Sequence, residues 1–433
     1  MFDCMDEINP SDDPVYQPTG PYIPEANDCM RCGLCISLCP TYKINQIEAE
    51  TPRSRIRTID KILSNTGYVS AEELSYLNHC TQCRACETMC PSQMAYGQLF
   101  DQTREKLLTT QSSKSKTHLL APLGFKLLEH KKLFSVVTVF IAAYQKSGLA
   151  YIVKKTPLLN WLNLAKAENI LPKVSLNGLA DNYPSSHPKA TVGLFTGCMG
   201  AAFDQETLLA TIKVLNAIGF NVVVPKQQNC CGALHQHQGQ PQIASQLATN
   251  NIQAFNTLAV DAIIYTASAC GLMLKEYPSK DELASFKAPL FDITEFLCNH
   301  WPANIKLHAQ NLLATTIAVH EPCSQRNINK VSEKKHQYAY ELLQKITGLS
   351  VTPLPDNQTC CGAGGVHCLT HPKIAAPLRA LKLDHFKNSA ADYLVSTNLG
   401  CALHLNSGMT PKQSADLPKV IHPIVLIAKA LNH

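Results

Sequence analysis

What the sequence lacks narrows its chemistry before any motif is considered. No G-x-G-x-x-G follows a strand-like run and no G-x-x-x-x-G-K-[ST] occurs, so no phosphate-cradling loop for a dinucleotide or a nucleoside triphosphate is present. H-E-x-x-H and a Ser-His-Asp nucleophile context are also missing, which removes the common hydrolytic frameworks. Only 16% of residues are charged, and 38 Lys plus Arg against 33 Asp plus Glu leave +5 spread along the chain. No basic block forms a phosphate-binding face, so no nucleic-acid partner is expected. No apolar run reaches the roughly 20 residues that a transmembrane helix needs. The longest, Leu133 to Tyr144, is twelve residues and is expected as a buried helix. Lys126, Lys131, Lys132 and Lys146 flank it, so a membrane-surface or partner-docking helix is the alternative. The opening M-F-D-C-M-D-E-I-N-P has no apolar core and reads as neither a secretory signal nor a transit peptide.

Cysteine, in contrast, is abundant: 19 in 433 residues. Disulfide frameworks typify short secreted chains, and most of these cysteines fall into ligand-like groups instead. A reducing, cytoplasmic compartment is expected, with a peripheral position at the inner face of the cell membrane left open. Cys29, Cys32, Cys35, Cys39 and Pro40 form C-x-x-C-x-x-C-x-x-x-C-P, and Cys80, Cys83, Cys86, Cys90 and Pro91 repeat it 51 residues later. Short x-x steps let one loop wrap three corners of a cubane [4Fe–4S] cluster, and the cysteine before proline reaches the other cluster. The expected ligation is therefore crossed: Cys29, Cys32, Cys35 with Cys90, and Cys80, Cys83, Cys86 with Cys39. A pair of zinc sites is the competing reading, but zinc motifs set two C-x-x-C pairs well apart.

The chain divides into five stretches: a proline-rich extended arm (1–26) carrying Cys4 as a lone free thiol, a two-cluster domain (27–100), a helical connector and linker (101–188), and two α/β repeats (189–300 and 301–433). Ile56, Ile59, Ile62 and Leu63 after Thr51-Pro52, and Ala71, Leu74 and Leu77 after Ser70, are at helical spacing. Ser70 with Glu73 reads as a capping box. The cluster domain is thus expected to be helical, with Arg53, Arg55 and Arg57 placed to offset cluster charge or simply to face solvent. The connector offers helical patterns and no recognisable chemistry, and 173–189 reads as linker.

From T-V-G-L-F onward, strands alternate with helices, twice over. Cys198, Cys230, Cys231 and Cys270 recur as Cys323, Cys360, Cys361 and Cys401, at offsets of 125, 130, 130 and 131 residues. Helices are expected over Phe203–Ile218, from Gln242 to about Leu258, around Lys335–Ile346 and from about Ile374 to Phe386. Such alternation implies a duplicated α/β unit with mostly parallel sheets, whose strand ends gather ligands. Each C-C pair precedes a glycine, Gly232 or Gly362, which lets the backbone turn tightly or approach a bound group. Adjacent thiols do not converge on one mononuclear metal but can bridge different irons. An additional cluster, zinc, or buried thiols packed as small hydrophobes all remain open for these eight cysteines. His235, His237, His320, His367 and His404 crowd the same stretches; His320 in H-E-P-C and His367 after C-C-G-A-G-G-V are the two to test. Cys298 and Cys368 have no counterpart in the repeat and are not expected as ligands.

Taken together, C-P-T-Y, C-x-x-C-x-x-C-E-T-x-C-P-S, N-C-C-G-A, T-A-S-A-C-G, C-C-G-A-G-G and N-L-G-C resemble the iron–sulfur subunit family of bacterial glycolate oxidase. The pattern is also similar to the C subunit of anaerobic glycerol-3-phosphate dehydrogenase, the heterodisulfide reductase B subunit and lactate-utilisation proteins. The resemblance runs from about Cys29 to the C-terminus. It implies a multidomain fold, with a helical two-cluster ferredoxin domain followed by a duplicated cysteine-rich C-C-G domain. It implies two [4Fe–4S] clusters on the eight cysteines from Cys29 to Cys90, and leaves a further cluster on the C-C-G cysteines as an option. FAD is expected on a partner subunit that oxidises a small 2-hydroxy acid, with electrons passing towards a quinone-type or membrane acceptor. The alternatives are a subunit of a related glycerol-3-phosphate or lactate dehydrogenase complex, or a heterodisulfide-reductase-like catalytic reductase using the C-C-G region. Three departures stand out: Ala267 and Asn398 occupy positions where the fullest C-C-G motif has a further cysteine, Ser54 stands where the family carries glycine, and the arm before Cys29 is longer than usual.

Overall fold

Thr51-Pro52 starts the first long helix as the pattern requires. In the computed structural model, the Thr51 side chain accepts from the Ser54 amide, Pro52–Ser64 is helical, and Asn65 ends it in the left-handed region at φ 56°. The structure describes residues 29–66, 68–110, 131–154, 178–277, 285–312, 315–327, 337–409 and 420–431, with scattered positions between 126 and 174. The proline-rich arm and Cys4 lie outside them. Ser70 and Glu73 form the expected reciprocal capping box on helix Ala71–Asn78. With Tyr96–Thr110, these helices enclose a small core of Ile56, Ile59, Ile62, Leu77, Leu99 and Phe100. The described residues of 29–110 contain no strand.

The duplication is visible in the sheets. Strand β1 (Asn182–Tyr183) is antiparallel to β3 (Phe220–Val223), and β2 (Ala190–Phe195), β3, β4 (Ala262–Tyr265) and β5 (Leu290–Asp292) are parallel in the order β1-β3-β2-β4-β5. The second half has a two-stranded pair, β6 (Leu307–His308) with β8 (Ile346–Thr347). Its main sheet is β7 (Thr316–His320), β9 (Ser350–Pro353) and β10 (Tyr393–Ser396), in the order β10-β7-β9. Thus β3-β2-β4 and β9-β7-β10 are the same unit. One apolar core runs through both halves, from Val192 and Leu208 to Leu342 and Ile424, so the repeats are fused rather than strung together.

Three expectations change. The stretch read as linker contributes β1, which closes the edge of the first sheet. The helix expected to reach Ile346 is Tyr338–Leu343 among the described residues, and Ile346 lies in a strand before Gly348 at φ 88°. Leu342, Leu343 and Ile346 all face the shared core, and this spacing imitates a continuing helix. Helix Lys131–Lys146 forms, but it is not a buried helix. Thr138 and Ala142 are buried, while Leu133, Val136, Val139 and Phe140 are exposed. An apolar run presents apolar faces all round, and only one of them finds a partner among the described residues. No helix there is long and apolar enough to cross a membrane.

Candidate metal centres

The two C-x-x-C-x-x-C loops share one backbone turn. Arg31 and Gln82, each two residues after the first cysteine, have φ 55° and 54°; Gly33 and Arg84, one after the second, have φ 84° and 54°. Non-glycine residues rarely hold this conformation, so its recurrence marks a loop shaped around a common object. The structure brings Cys35 within electrostatic reach of Cys29, Cys32 and Cys90; burial and these neighbours push its thiol up to about 11. Cys83 and Cys86 are pushed up by burial first, and both sense Cys80 and Cys39. This grouping is the one that crossed ligation requires. Thiols this hard to ionise alone must lose their protons to a metal, which couples cluster binding to proton release.

The two sites differ in exposure. Cys32 is exposed, between Met30 and Leu34, which are 75% and 54% exposed. Cys39 and Cys83 are buried. A small cleft, partly open to solvent, is lined by Cys39, Cys80, Cys83, Cys86, Arg55 and Tyr96 among others. Donors point at its sulfurs: the Tyr96 hydroxyl and the Gln82 amide lie 3.7 and 3.4 Å from Cys80 Sγ, and Arg55 Nη1 lies 3.6 Å from Cys39 Sγ. Burial alone would lower the Arg55 pKa, but Cys80, Tyr96, Cys39 and Glu50 raise it overall. Arg55 also donates to the Tyr76 carbonyl at 2.8 Å and the Thr41 hydroxyl at 2.9 Å. The three arginines divide: Arg55 serves the buried site, Arg53 lies by Gly33 of the exposed loop and pairs with Glu48 at 2.7 Å, and Arg57 faces solvent. Glu50, buried between His79 (2.7 Å) and Arg55 (3.8 Å), completes the charge balance and was not legible in sequence.

The second set of cysteines also gathers, four by four. Cys198, Cys270 and Cys401 lie in the first turn of the helix after a strand, and Cys323 opens its own. Cys198 Sγ donates to Cys230 Sγ at 3.5 Å; sharing that proton drives Cys198 up and Cys230 down. Cys231 is raised by its bonds to Cys230 and Cys270. Cys323, Cys360 and Cys361 repeat the chain of contacts, with Cys401 beside Cys361. The glycines are required for the turn. Gly232 and Gly362 have φ 87° and 89°, and each donates its amide to the first sulfur of its pair, at 3.5 and 3.4 Å. A Cβ there would meet the next helix, at Ala244 Cα (3.2 Å) or the Ala375 carbonyl (2.8 Å).

Two of the five histidines lie near the cysteines: His235, buried and in the field of Cys230, and His320 in the second half. His320, buried, has a ring nitrogen within 4.8 Å of the Cys361 and Cys401 sulfurs. Burial, with Lys382 nearby, lowers its pKa to about 3. His367 bonds the His79 carbonyl at 3.0 Å and stacks on His371; His404 meets the Ala375 carbonyl, His235 meets Gln240, and His237 meets Asp101. Cys298 and Cys368 stay apart, each donating to a carbonyl (Tyr338 and Gly365). Sequence reading missed Lys382, which is fully buried in helix Pro372–Asn388. Burial lowers its pKa below the usual lysine value, against the opposing pull of Asp356, Cys361 and Cys360. Its spacing from Ile374 and Leu378 put it on the inner helix face and could have flagged it.

The two sets meet. Cys83 and Cys360 share an apolar cluster with Ala85, flanked by Leu38 and Cys323, and Asn327 Nδ2 donates to the Cys83 carbonyl at 2.9 Å. The first half instead meets this domain through Asp101 and Gln82, both contacting His237. The halves join each other through Ser268 Oγ and Ser324 Oγ, at 2.7 Å. The buried cubane site therefore abuts the second half.

Sequence families agree with this partition. A 4Fe-4S dicluster domain model matches residues 25–94, and a cysteine-rich domain model matches twice, at 192–275 and 317–406. A model of the linker region of the glycolate oxidase iron-sulfur subunit matches 117–171, the stretch in which the sequence offered no chemistry. The chain is similar to a probable glycolate oxidase iron-sulfur subunit of Bacillus subtilis, 29% identical over 429 residues, 94% of this chain and 95% of the relative. It is 30% identical to the glycolate oxidase iron-sulfur subunit of Escherichia coli over 417 residues, 93% of this chain and 94% of that one. Lactate utilization protein A of Geobacillus thermodenitrificans matches 56% of this chain at 26% identity, over 98% of its own length. The chain belongs to the family of glycolate oxidase iron-sulfur subunits.

Proposed function

We propose that this chain is the electron-relay subunit of a flavin-dependent glycolate (2-hydroxy acid) dehydrogenase complex. In this reading electrons arrive from an FAD-containing partner and leave towards a quinone-type acceptor. A bound [4Fe–4S] cluster supplies one-electron chemistry, whereas hydride chemistry belongs to the flavin. Cys29, Cys32, Cys35 and Cys90 hold the entry cluster, where exposed Cys32, Met30 and Leu34 allow close approach of a partner. Cys80, Cys83, Cys86 and Cys39 hold the inner cluster. Arg55 and Tyr96, which donate towards Cys39 and Cys80, would offset the negative charge of a cluster held there.

The observation that carries this reading is the gradient of burial, from exposed Cys32 to buried Cys83 and on to Cys360. A dinucleotide-binding loop is absent from the sequence, so the hydride acceptor belongs on another chain. The test is anaerobic reconstitution followed by addition of the chemically reduced FAD subunit. The clusters are expected to take up electrons, and clusters that stay oxidised overturn the relay. Turnover of a disulfide substrate with an artificial one-electron donor and no flavoprotein would make the chain a reductase instead.

A further inference from the structure

The two cluster loops share one backbone turn but differ at one of its left-handed positions. The outer loop places Gly33 there, at φ 84°, and the inner loop places Arg84, at φ 54°. Glycine adopts this conformation freely, whereas a side chain makes it costly. Arg84 is also the N-cap of helix Ala85–Met89, yet its side chain caps no amide. Small polar residues or glycine suit an N-cap best, so nothing local favours arginine. A residue that breaks two local rules at once points to a tertiary role.

The tertiary contacts supply one. The Arg84 side chain is 11% exposed and lies against Gly97, where a Cβ would meet its Nε. Its guanidinium reaches the first half of the duplicated domain as a fork, Nη1 to Glu276 Oε1 at 2.7 Å and Nη2 to Oε2 at 3.5 Å. Glu276 ends helix Ser268–Lys275, the helix that carries Cys270. Gln82, also left-handed, donates to the His237 carbonyl of the same half at 3.5 Å. Between them, the Cys83 carbonyl accepts from Asn327 of the second half at 2.9 Å. The inner loop is thus gripped from both halves, residue by residue. Arg84 also lines the cleft bordered by Cys39, Cys80, Cys83 and Cys86. Its permanent positive charge therefore stands beside the inner cluster site, with the Glu276 carboxylate at its tip. Hydrogen bonds, net charge and exposure around a cluster tune its potential.

We propose that Arg84 is a positioning residue of the relay: its pair with Glu276 fixes the inner cluster loop on the first half of the duplicated domain and sets the charge beside the inner site. The proposal rests on the relay reading. It gives the first half a docking task that does not depend on its cysteines, and no bond is made or broken in it.

The test uses the whole chain, reconstituted anaerobically, as wild type, Arg84→Gly, Arg84→Lys and Glu276→Gln. Readouts are iron per polypeptide, amide hydrogen exchange over residues 80–87 and 268–277, and the potential of each cluster from an EPR-monitored redox titration. Glycine is the residue that the outer loop carries at the equivalent place, so Arg84→Gly is expected to keep the iron of both cubanes. Arg84→Gly and Glu276→Gln should both speed exchange on the two sides of the contact, by about tenfold or more. Their effects on the inner cluster's potential should be opposite: lower without the cation, higher without the carboxylate. Arg84→Lys should hold that potential near the wild-type value, and the outer cluster should keep its own in every variant. A purely structural salt bridge would move exchange and leave the potentials in place. Unchanged exchange, inner-cluster shifts of the same sign or none, or loss of the inner cubane from Arg84→Gly overturns the proposal. None of these readouts involves a flavoprotein, so failure here is distinguishable from failure of the relay.

Discussion

Two regions of this molecule were built by duplication, and they diverged in opposite ways. The cluster loops keep ligands and backbone turn alike, and differ in burial: Cys32 is exposed and its counterpart Cys83 is buried. The C-C-G halves keep a buried C-C pair and the order of three central strands, and differ in the chemistry around their cysteines. In the first region, duplication yields two similar centres at different depths. In the second, it yields one cysteine tetrad backed by Phe195 and Asn251 and one backed by His320 and the buried Lys382. Retained cysteines alone therefore do not make the two halves alike; the residues behind them differ.

The comparison breaks most visibly at the crossed cysteine. Cys39 belongs to the first motif in sequence and to the inner site in space. Cys39→Ser is expected to remove or convert the same cluster as Cys86→Ser, with loss of up to one cubane's iron. Overlaid EPR spectra of the two variants check it; a Cys39→Ser spectrum matching Cys35→Ser would break the crossing.

Lys382 and Asn251 come next, because their substitutions should differ in sign. Lys382→Met is expected to stabilise the metal-free protein by roughly 1–3 kcal/mol. Asn251→Met should cost about 2 kcal/mol, since it strands the Asn229 amide and the Cys230 carbonyl. Urea unfolding of the metal-free protein reads both.

The glycines test geometry. Alanine at either position meets the left-handed backbone, but a Cβ at Gly362 stands 2.8 Å from a carbonyl oxygen while one at Gly232 stands 3.2 Å from a carbon. Gly362→Ala should cost about 3 kcal/mol and Gly232→Ala about 2 kcal/mol, measured by the same unfolding.

The smallest effect lies in two equivalent helix caps of opposite titration. Asp292 accepts from the Thr294 amide at 2.8 Å, and His422 Nδ1 accepts from the Ile424 amide at 3.1 Å. Burial raises Asp292 to about 6 and lowers His422 to about 3. The folded state therefore disfavours both charged forms. Stability from Asp292 is full below its unfolded value of 3.8 and is lost as pH rises through about 6. Stability from His422 is full above its unfolded value of 6.5 and is lost as pH falls towards about 3. Between pH 7 and pH 5, His422→Asn should lose about 2 kcal/mol less stability than wild type, and Asp292→Asn should remove a trend of the opposite sign. Thermal unfolding across that range separates them.

Much of this was legible in the sequence. Cysteine spacing located both cubane loops, alternation located the duplicated sheets, and the capping box at Ser70 located a helix start, because each rests on local chemistry. The two C-C-G tetrads were legible as groups through their similar offsets of 125 to 131 residues. What the sequence hid depends on tertiary contact. Nothing local says that Cys83 meets Cys360, that Arg55 rather than Arg57 serves the inner site, or that Glu50 is buried between His79 and Arg55. The run Leu133–Tyr144 misled for a related reason: hydrophobicity reports what can be buried, not whether a partner exists for every face. Of the two histidines singled out, His320 lies beside Cys361 and Cys401, while His367, like His404, is a hydrogen-bonded helix residue.

Cys83→Ser in the complete complex is the most direct test of inward relay, with EPR after addition of the reduced FAD subunit and acceptor reduction followed in parallel. The prediction is that the exposed cubane still takes up an electron while acceptor reduction falls at least about a hundredfold, as loss of a ligand exceeds the tenfold to hundredfold cost of a second-shell partner. Acceptor reduction at the wild-type rate, or an exposed cubane that no longer accepts electrons, would contradict it.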